Sequence, residues 1–472
     1  MSRNRLIWTF VVTSIAAFMG SLDNLVVTMA LPSIREHLHA GLSGLEWTVN
    51  AYTLTFAVFL LTGAALGDRF GRRRIFTLSL TIFTLASAAA AMAPNVDMLI
   101  LARAIQGVGA ATMLPLSMTI LSAAVPAERR GAALGIWGAV SGLGVAIGPV
   151  VGGAVVEGAA WQWIFWLNVP VGLLLIPVAW TKLTESHGAT RRLDLIGAAL
   201  VSAGLFGVVF GVVRGNSHGW TSTSVLGGII GGTILLIAFL LYENRTPDPM
   251  LPLHFFKNRS FSAVNATSLL FSFGMFGAVF LLAQSLQVVQ GYSPLQAGLR
   301  TLPWTGMPIL LAPIVGPLAD RIGGRPLIVS GLAMMAAGLA WITLVLSPTV
   351  AYASLVPGFV LAGAGMSMFF VPVGTVVLGS VRAVEQGLAS GANNAIRELG
   401  GVFGVAVLSS VFSATGSLVS PQSFMDGLRP AVTVGAVVLA IGAIVSLAID
   451  GRRRNTQAAI EPVGTPELEP VG

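Results

Sequence analysis

Fourteen stretches of this 472-residue chain are apolar for long enough to cross a lipid bilayer, and that repetition leaves few architectures open. A span takes roughly 20 apolar residues as a helix. Hydrocarbon offers the backbone no water, so each span must close its own hydrogen bonds, and continuous apolar runs do so as helices. The expected limits are 6–32, 46–66, 75–93, 98–122, 131–156, 162–182, 193–213, 225–242, 261–284, 295–318, 326–346, 352–376, 388–413 and 429–449. Only 10% of residues are charged, against about 25% in soluble domains. The fold class is therefore an all-α membrane protein. The start MSRNR plus an apolar run resembles a signal peptide, but the run is too long for one and reads as a retained first span. The last 18 residues, NTQAAIEPVGTPELEPVG, are polar, acidic and proline-rich, the composition of a disordered tail.

Charge orients the bundle. An even number of spans puts both termini on one side. With the N-terminus inside, twenty of the 26 basic residues fall in cytoplasmic segments. Arg35, Arg214, Arg300 and Arg429 fall at outer ends, while Arg103 and Arg397 fall inside spans. That asymmetry is the positive-inside pattern and places both termini in the cytoplasm. It also accounts for the net charge of +7 without nucleic acid. Trp161, Trp163 and Trp166 cluster at the outer start of the sixth span, as an interfacial belt does. The chain has no Cys, and its five His are scattered through expected loops, so neither a disulfide nor a metal centre is expected.

The chain repeats itself. GAALGDRFGRRR (63–74) matches GPLADRIGGRP (316–326), setting Asp68 against Asp320. At an offset of 256, Gly107, Gly109, Gly131, Gly135, Gly144 and Gly148 meet Gly363, Gly365, Gly387, Gly391, Gly400 and Gly404. The expected organisation is a six-helix half over 1–182, two inserted spans and linkers over 183–260, a second six-helix half over 261–450, and the tail 451–472. Parallel six-span repeats are a transporter architecture with a substrate site between the halves.

Four motifs then resemble the major facilitator superfamily, and within it the fourteen-spanner drug:proton antiporter family. GDRFGRRR (67–74) is similar to the family's loop between helices 2 and 3, and LARAIQGVGAA (101–111) to its helix-4 motif with Arg103. GLGVAIGPVVGG (142–153) is similar to its helix-5 antiporter motif, and LDNLVVTMALP (22–32) to the first-helix motif of fourteen-spanners. Thr28 and Met29 stand where that family usually has Asn-Val. The resemblance implies a major facilitator fold. It also implies that Gly144, Gly148, Pro149 and Gly152 seal the cavity against leak, and that Asp68, Arg72 and Asp320 form conformational-switch loops, with Asp68 reaching helix 13. Ordinary helix packing and topogenic charge are the plainer readings of the same residues.

Asp23 is a carboxylate within a lipid-compatible helix, which costs about 3 kcal/mol on insertion scales. Residues that expensive bind protons, ions or charged substrates. Arg103 lies at a comparable depth in helix 4 and is expected to be its partner, with Gln106 sharing the cage. The pair is either a proton switch or a static tie between helices 1 and 4. The equivalent of Arg103 in the second half is Phe359. Helix 13 carries Arg397 and Glu398 near the midplane. Neighbouring positions point about 100° apart, so they need not pair with each other. Glu398 is a second proton site, an attractor of cationic drugs or a partner for polar groups of helix 10 or 14. Asn24, Tyr52, Gln106, Trp137, Gln284, Asn394 and Arg397 are candidate cavity residues.

No Walker-type phosphate loop is present, so energy is expected from a proton gradient rather than a cofactor. The expected function is export of lipophilic drugs or antibiotics in exchange for protons, by alternating access in a bacterial cytoplasmic membrane. The alternative is a dedicated exporter of one self-made antibiotic, a reading encouraged by the GC-rich, Arg-over-Lys composition. The expected partners are a small-molecule drug, protons and membrane lipid, with the chain acting as a monomer. An enzyme is not expected, because the loops lack an acidic cluster or His pair.

Overall fold

The computed structural model describes residues 3–187, 194–247, 249–382 and 385–450. The expected tail at 451–472 and the basic residues Arg191, Arg192 and Arg452 to Arg454 lie outside them. The helices are α1 (Arg3–Leu38), α2 (Leu42–Phe70), α3 (Arg72–Ala91), α4 (Val96–Ala124), α5 (Ala127–Gly158), α6 (Trp163–Lys182) and α7 (Leu195–His218). They continue as α8 (Thr223–Glu243), α9 (Arg259–Val288), α10 (Pro294–Ile322), α11 (Gly324–Val345), α12 (Tyr352–Gly379), α13 (Gln386–Thr415) and α14 (Pro421–Ser446). Thirteen are long and apolar enough to span a membrane, and α2, bent by 50° between Leu60 and Thr62, makes the fourteenth. Both described chain ends lie at one end of the bundle, called the terminal end below; the opposite end is distal.

Several boundaries move outward from the sequence expectation. Helix α1 runs past Pro32 to Leu38, because Ile34 is fully buried and holds the extra turn against the core. Helix α14 starts at Pro421, with Ser420 accepting from the Ser423 N–H as its cap. Arg429 therefore lies inside the helix, donating to the Leu346 carbonyl. Trp161 departs from the expected belt. It is buried edge-on against Phe165, while Trp163 stays exposed.

The repeat is visible in the packing. A Cβ on Gly107 would strike the α2 backbone at Tyr52, and one on Gly109 the α3 backbone at Phe83. In the second half, Gly363 meets the α10 backbone at Trp304 and Gly365 the α11 backbone at Gly331. Likewise Gly144 and Gly148 lie against α1 at Phe18 and Leu25, and Gly400 and Gly404 against α9 at Leu269 and Phe273. Small residues let backbones approach where lipid gives helices no hydrophobic reason to associate. The inserted pair α7 and α8 packs on itself through Gly204, Gly207, Gly228 and Gly232. Helix α7 also leans on α2 and α13 through Leu205, Val209 and Val213.

The hydrogen bonds joining α1–α6 to α9–α14 among the described residues gather in the distal half. Gln287 donates to the Met29 carbonyl at 3.1 Å, Arg35 to the Leu418 carbonyl at 3.3 Å, and Thr305 to the Ala146 carbonyl at 2.9 Å. Glu157 at the end of α5 accepts from the Ser293 hydroxyl and the Leu295 N–H at the start of α10. The bundle is thus tied shut distally.

Gly404→Leu should force α9 and α13 apart. Overpacking of this kind costs about 1–3 kcal/mol, so its thermal midpoint in detergent should fall by several degrees. Gly316→Ala, whose new methyl meets nothing within 4 Å, should leave the midpoint unchanged.

Candidate functional site

Two helices bring Asp23 and Arg103 to one point inside the first half. Helix α1 carries Asp23 past its midpoint, and α4, capped by Asn95 on the Met98 N–H at 2.9 Å, starts distally and places Arg103 two turns in. Both side chains are about 1% exposed. Arg103 Nη1 donates to Asp23 Oδ2 in a short ion pair, and to Gln106 Oε1 at 2.8 Å. Its Nε donates to the Thr48 carbonyl at 3.3 Å. Gln106 Nε2 then donates to Asp23 Oδ1 at 2.9 Å, closing a ring of three side chains.

Two residues complete the cage that sequence reasoning did not single out. Asn168 of α6 donates to Asp23 Oδ1 at 3.0 Å and to Ser87 Oγ of α3 at 3.1 Å. Ser87 in turn donates to the Phe165 carbonyl. The readable signal was an amide inside the apolar run FWLNVP (165–170). Aromatic faces shield the cation: Tyr52 lies 4.2 Å and Phe165 5.7 Å from the guanidinium carbon. A buried pair holds only when its remaining donors and acceptors are met, and they are met here from α2 (Thr48), α4 (Gln106) and α6 (Asn168), with Ser87 of α3 holding Asn168 in place.

This geometry redefines three candidate cavity residues. Tyr52 is buried, with its hydroxyl donating to the Gly20 carbonyl at 3.3 Å, and belongs with Gln106 to the cage rather than to an open wall. Gln284 is buried and donates to the Phe280 carbonyl of its own helix. Trp137 is half-buried and donates to Ser117 Oγ at 3.2 Å, tying α5 to α4. Asn24 and Asn394 are half-buried.

In the second half, Phe359 occupies the position of Arg103 and packs against Trp304. Arg397 and Glu398, which as neighbours on a helix need not pair, do meet. Arg397 Nη2 donates to Glu398 Oε1 at 3.2 Å. The guanidinium also sits 5.4 Å from the Phe370 ring. Glu398 is 5% exposed, and its Oε2 has no hydrogen-bond partner among the described residues.

Asp68 pairs with Arg72 at 2.8 Å, one helical turn away across the α2–α3 bend, and no described hydrogen bond or ion pair carries it to α13. With the ties between halves gathered distally, its carboxylate is left to its own loop. Asp320 is exposed at the terminal end of α10. The glycines of α5 settle against α1: Gly144, Gly148 and Gly152 face Phe18, Leu25 and Val26, on the helix that carries Asp23. On another side of α5, the Pro149 carbonyl lies against Gly298 of α10.

A family model described as Major Facilitator Superfamily matches residues 13–194, 189–405 and 267–469. The multidrug resistance protein Stp of Mycobacterium tuberculosis (strain CDC 1551 / Oshkosh) is 36% identical over 88% of this chain and 77% of its own length. The tetracenomycin C resistance and export protein of Streptomyces glaucescens is 32% identical, over 90% and 79%. Among solved structures, a D-xylose-proton symporter superposes with a TM-score of 0.68 at 15% identity, covering 94% of this chain and 99% of that one. That last likeness shows the fold.

Asp23→Ala should leave Arg103 buried without its counter-charge and cost about 3–5 kcal/mol. Adding Arg103→Met should recover most of that loss, read as the coupling energy of a double-mutant cycle by unfolding in detergent.

Proposed function

The chain belongs to the Major Facilitator Superfamily, and we propose that within it the protein exports lipophilic drugs or antibiotics in exchange for protons, with Asp23 as the carrier of H⁺. It is a multi-pass membrane transporter and not an enzyme. The names of its relatives, which concern drug resistance and antibiotic export, support the substrate class. The observation that carries the coupling is the cage itself. Asp23 is held by donors from two other helices, Arg103 and Gln106 on α4 and Asn168 on α6. A nearby cation favours the ionised carboxyl and burial disfavours it. Any rocking that moves α1 relative to α4 and α6 changes that balance and hence the affinity for H⁺. Glu398, buried across the halves with one oxygen unpartnered, is the second candidate for titration or for attracting a cationic substrate.

The protein on this reading sits in the bacterial cytoplasmic membrane as a monomer, with both termini cytoplasmic, an orientation that the arginine distribution supports. The distal end then faces outward. The structure's distal ties correspond to a conformation closed to the outside, and Asp68 would reach α13 only in the opposite one. The absence of cysteine makes orientation directly testable. A single Gly41→Cys in the distal α1–α2 turn should label with an impermeant thiol reagent from outside intact cells.

In proteoliposomes under an imposed pH gradient, the native chain should drive efflux of a lipophilic dye. Asp23→Asn should reduce it at least tenfold while leaving the protein folded; full activity would remove Asp23 from the mechanism. Loss in Glu398→Gln as well would give two titrating positions, whereas retention of pH-driven flux with altered substrate preference would make Glu398 a substrate contact. A panel of antibiotics against dyes separates a broad exporter from one dedicated to a single compound.

A further inference from the structure

Another buried carboxyl, Glu46, lies on the opposite side of α2 from the cage. Thr48 and Tyr52, one turn apart, serve Arg103. Glu46, Asn50 and Leu54, also one turn apart from each other, make a different stripe. Leu54 and Val58 pack with Val402 and Ala406 of α13 and with Leu205 and Val209 of α7. The Ser409 hydroxyl of α13 lies beside the Glu46 carboxyl. The stripe therefore faces the seam between the first half and the second, near its distal end, with α7 covering it.

Two features of this seam are unusual. Glu46 is 4% exposed yet takes part in none of the ion pairs among the described residues. Among the described residues, Asn50 is fully buried with neither its Nδ2 nor its Oδ1 hydrogen-bonded, and the Ser409 hydroxyl also makes no hydrogen bond of good geometry. The charged groups on surrounding elements are engaged elsewhere. Arg103 of α4 is bound to Asp23 of α1, Arg397 of α13 to Glu398, and Arg214 of α7 stacks on Phe210 at 4.4 Å. Arg35 of α1 donates to the Leu418 carbonyl, with His39 on the wall of the distal cavity. An ionised Glu46 would be a lone buried charge, which proteins avoid by neutralising the group.

We propose that Glu46, with Asn50, is a proton-binding site of the α2–α13 seam that must be filled before the distal end closes. The inference rests on the transport reading above. When the halves part distally, the carboxylate meets the distal aqueous phase. A proton from that phase adds to a carboxylate oxygen, no other bond changes, and the neutral acid enters the seam beside Ser409. Closure thereby selects the loaded carrier. Asn50 supplies an amide able to donate to or accept from a carboxyl in either protonation state.

The test uses the full chain in proteoliposomes with spin labels on Gly41→Cys and Val419→Cys. The two positions flank the distal cavity on opposite halves; Gly41 has open space around it and Val419 is 87% exposed. Distance distributions are read from pH 5 to pH 9. The closed-to-open ratio should rise as pH falls, with Glu46 contributing up to about tenfold per pH unit, the limit for one linked proton. Glu46→Gln, which keeps the shape but cannot ionise, should shift toward the closed state and lose the Glu46 share of that slope, keeping only what Asp23 contributes. Glu46→Asp should keep the slope with a displaced midpoint. A Glu46→Gln protein with the native slope, or one that opens, overturns the proposal. Should Glu46→Gln fail to fold, the infrared band of a protonated carboxyl in the closed state decides: a band that shifts in Glu46→Asp supports the site and an unchanged spectrum overturns it. The labels report closure without any flux, so failure of proton-driven export in the native chain would count against the transport reading alone.

Discussion

The ion pair of Arg103 and Asp23 organises the first half. Placing a guanidinium and a carboxylate where neither meets water is tolerable only if each lone pair and N–H finds a partner. Gln106, Asn168, Thr48 and the face of Tyr52 are those partners. They come from three helices, α2, α4 and α6, so the cage ties each of them to Asp23 on α1 or to its partner Arg103. The glycine rows around it serve the same end. Gly107 lets α2 close on α4, and Gly144, Gly148 and Gly152 let α5 close on α1.

The two halves share an architecture but divide the chemistry. Equivalent glycines make equivalent backbone approaches in each, so the repeat is one of packing. The polar interiors differ. Where the first half has Arg103, the second has Phe359 against Trp304. The second half's charge lies instead on α13 at Arg397 and Glu398, facing the seam. Its Asn393, Asn265 and Ser268 form a neutral network between α13 and α9, a tie rather than a switch.

Helix α2 stands between the two chemistries. One side touches the cage through Thr48 and Tyr52, and the other meets α13 and α7 with Glu46 and Asn50 in an otherwise apolar contact. Movement of α2 against α13 thus changes the surroundings of Glu46 directly and those of Asp23 through Tyr52. The inserted helix α7 lies over that seam, which gives the extra pair a structural place beside the contact between the halves.

Span number, span order and the repeat were legible in the sequence, because hydrocarbon forces every crossing segment to declare itself by composition and length. Asp23 was legible as an expensive residue, and Arg103 and Gln106 as its partners, because depth along a helix follows from counting. What the count did not supply was azimuth, the direction each side chain takes around its helix. Asn168, reaching Asp23 from α6, and the buried stripe of Glu46 and Asn50 depend on it. Glu46 fell at the expected boundary of its span, where a charge is ordinarily solvated, and only the approach of α13 and α7 buries it. That Arg397 meets Glu398 was left open by the angle between neighbouring positions. The closure of the distal end belongs to the tertiary structure alone, since it consists of contacts between residues far apart in sequence, such as Gln287 with Met29 and Arg35 with Leu418, that only the packing of one half on the other brings together.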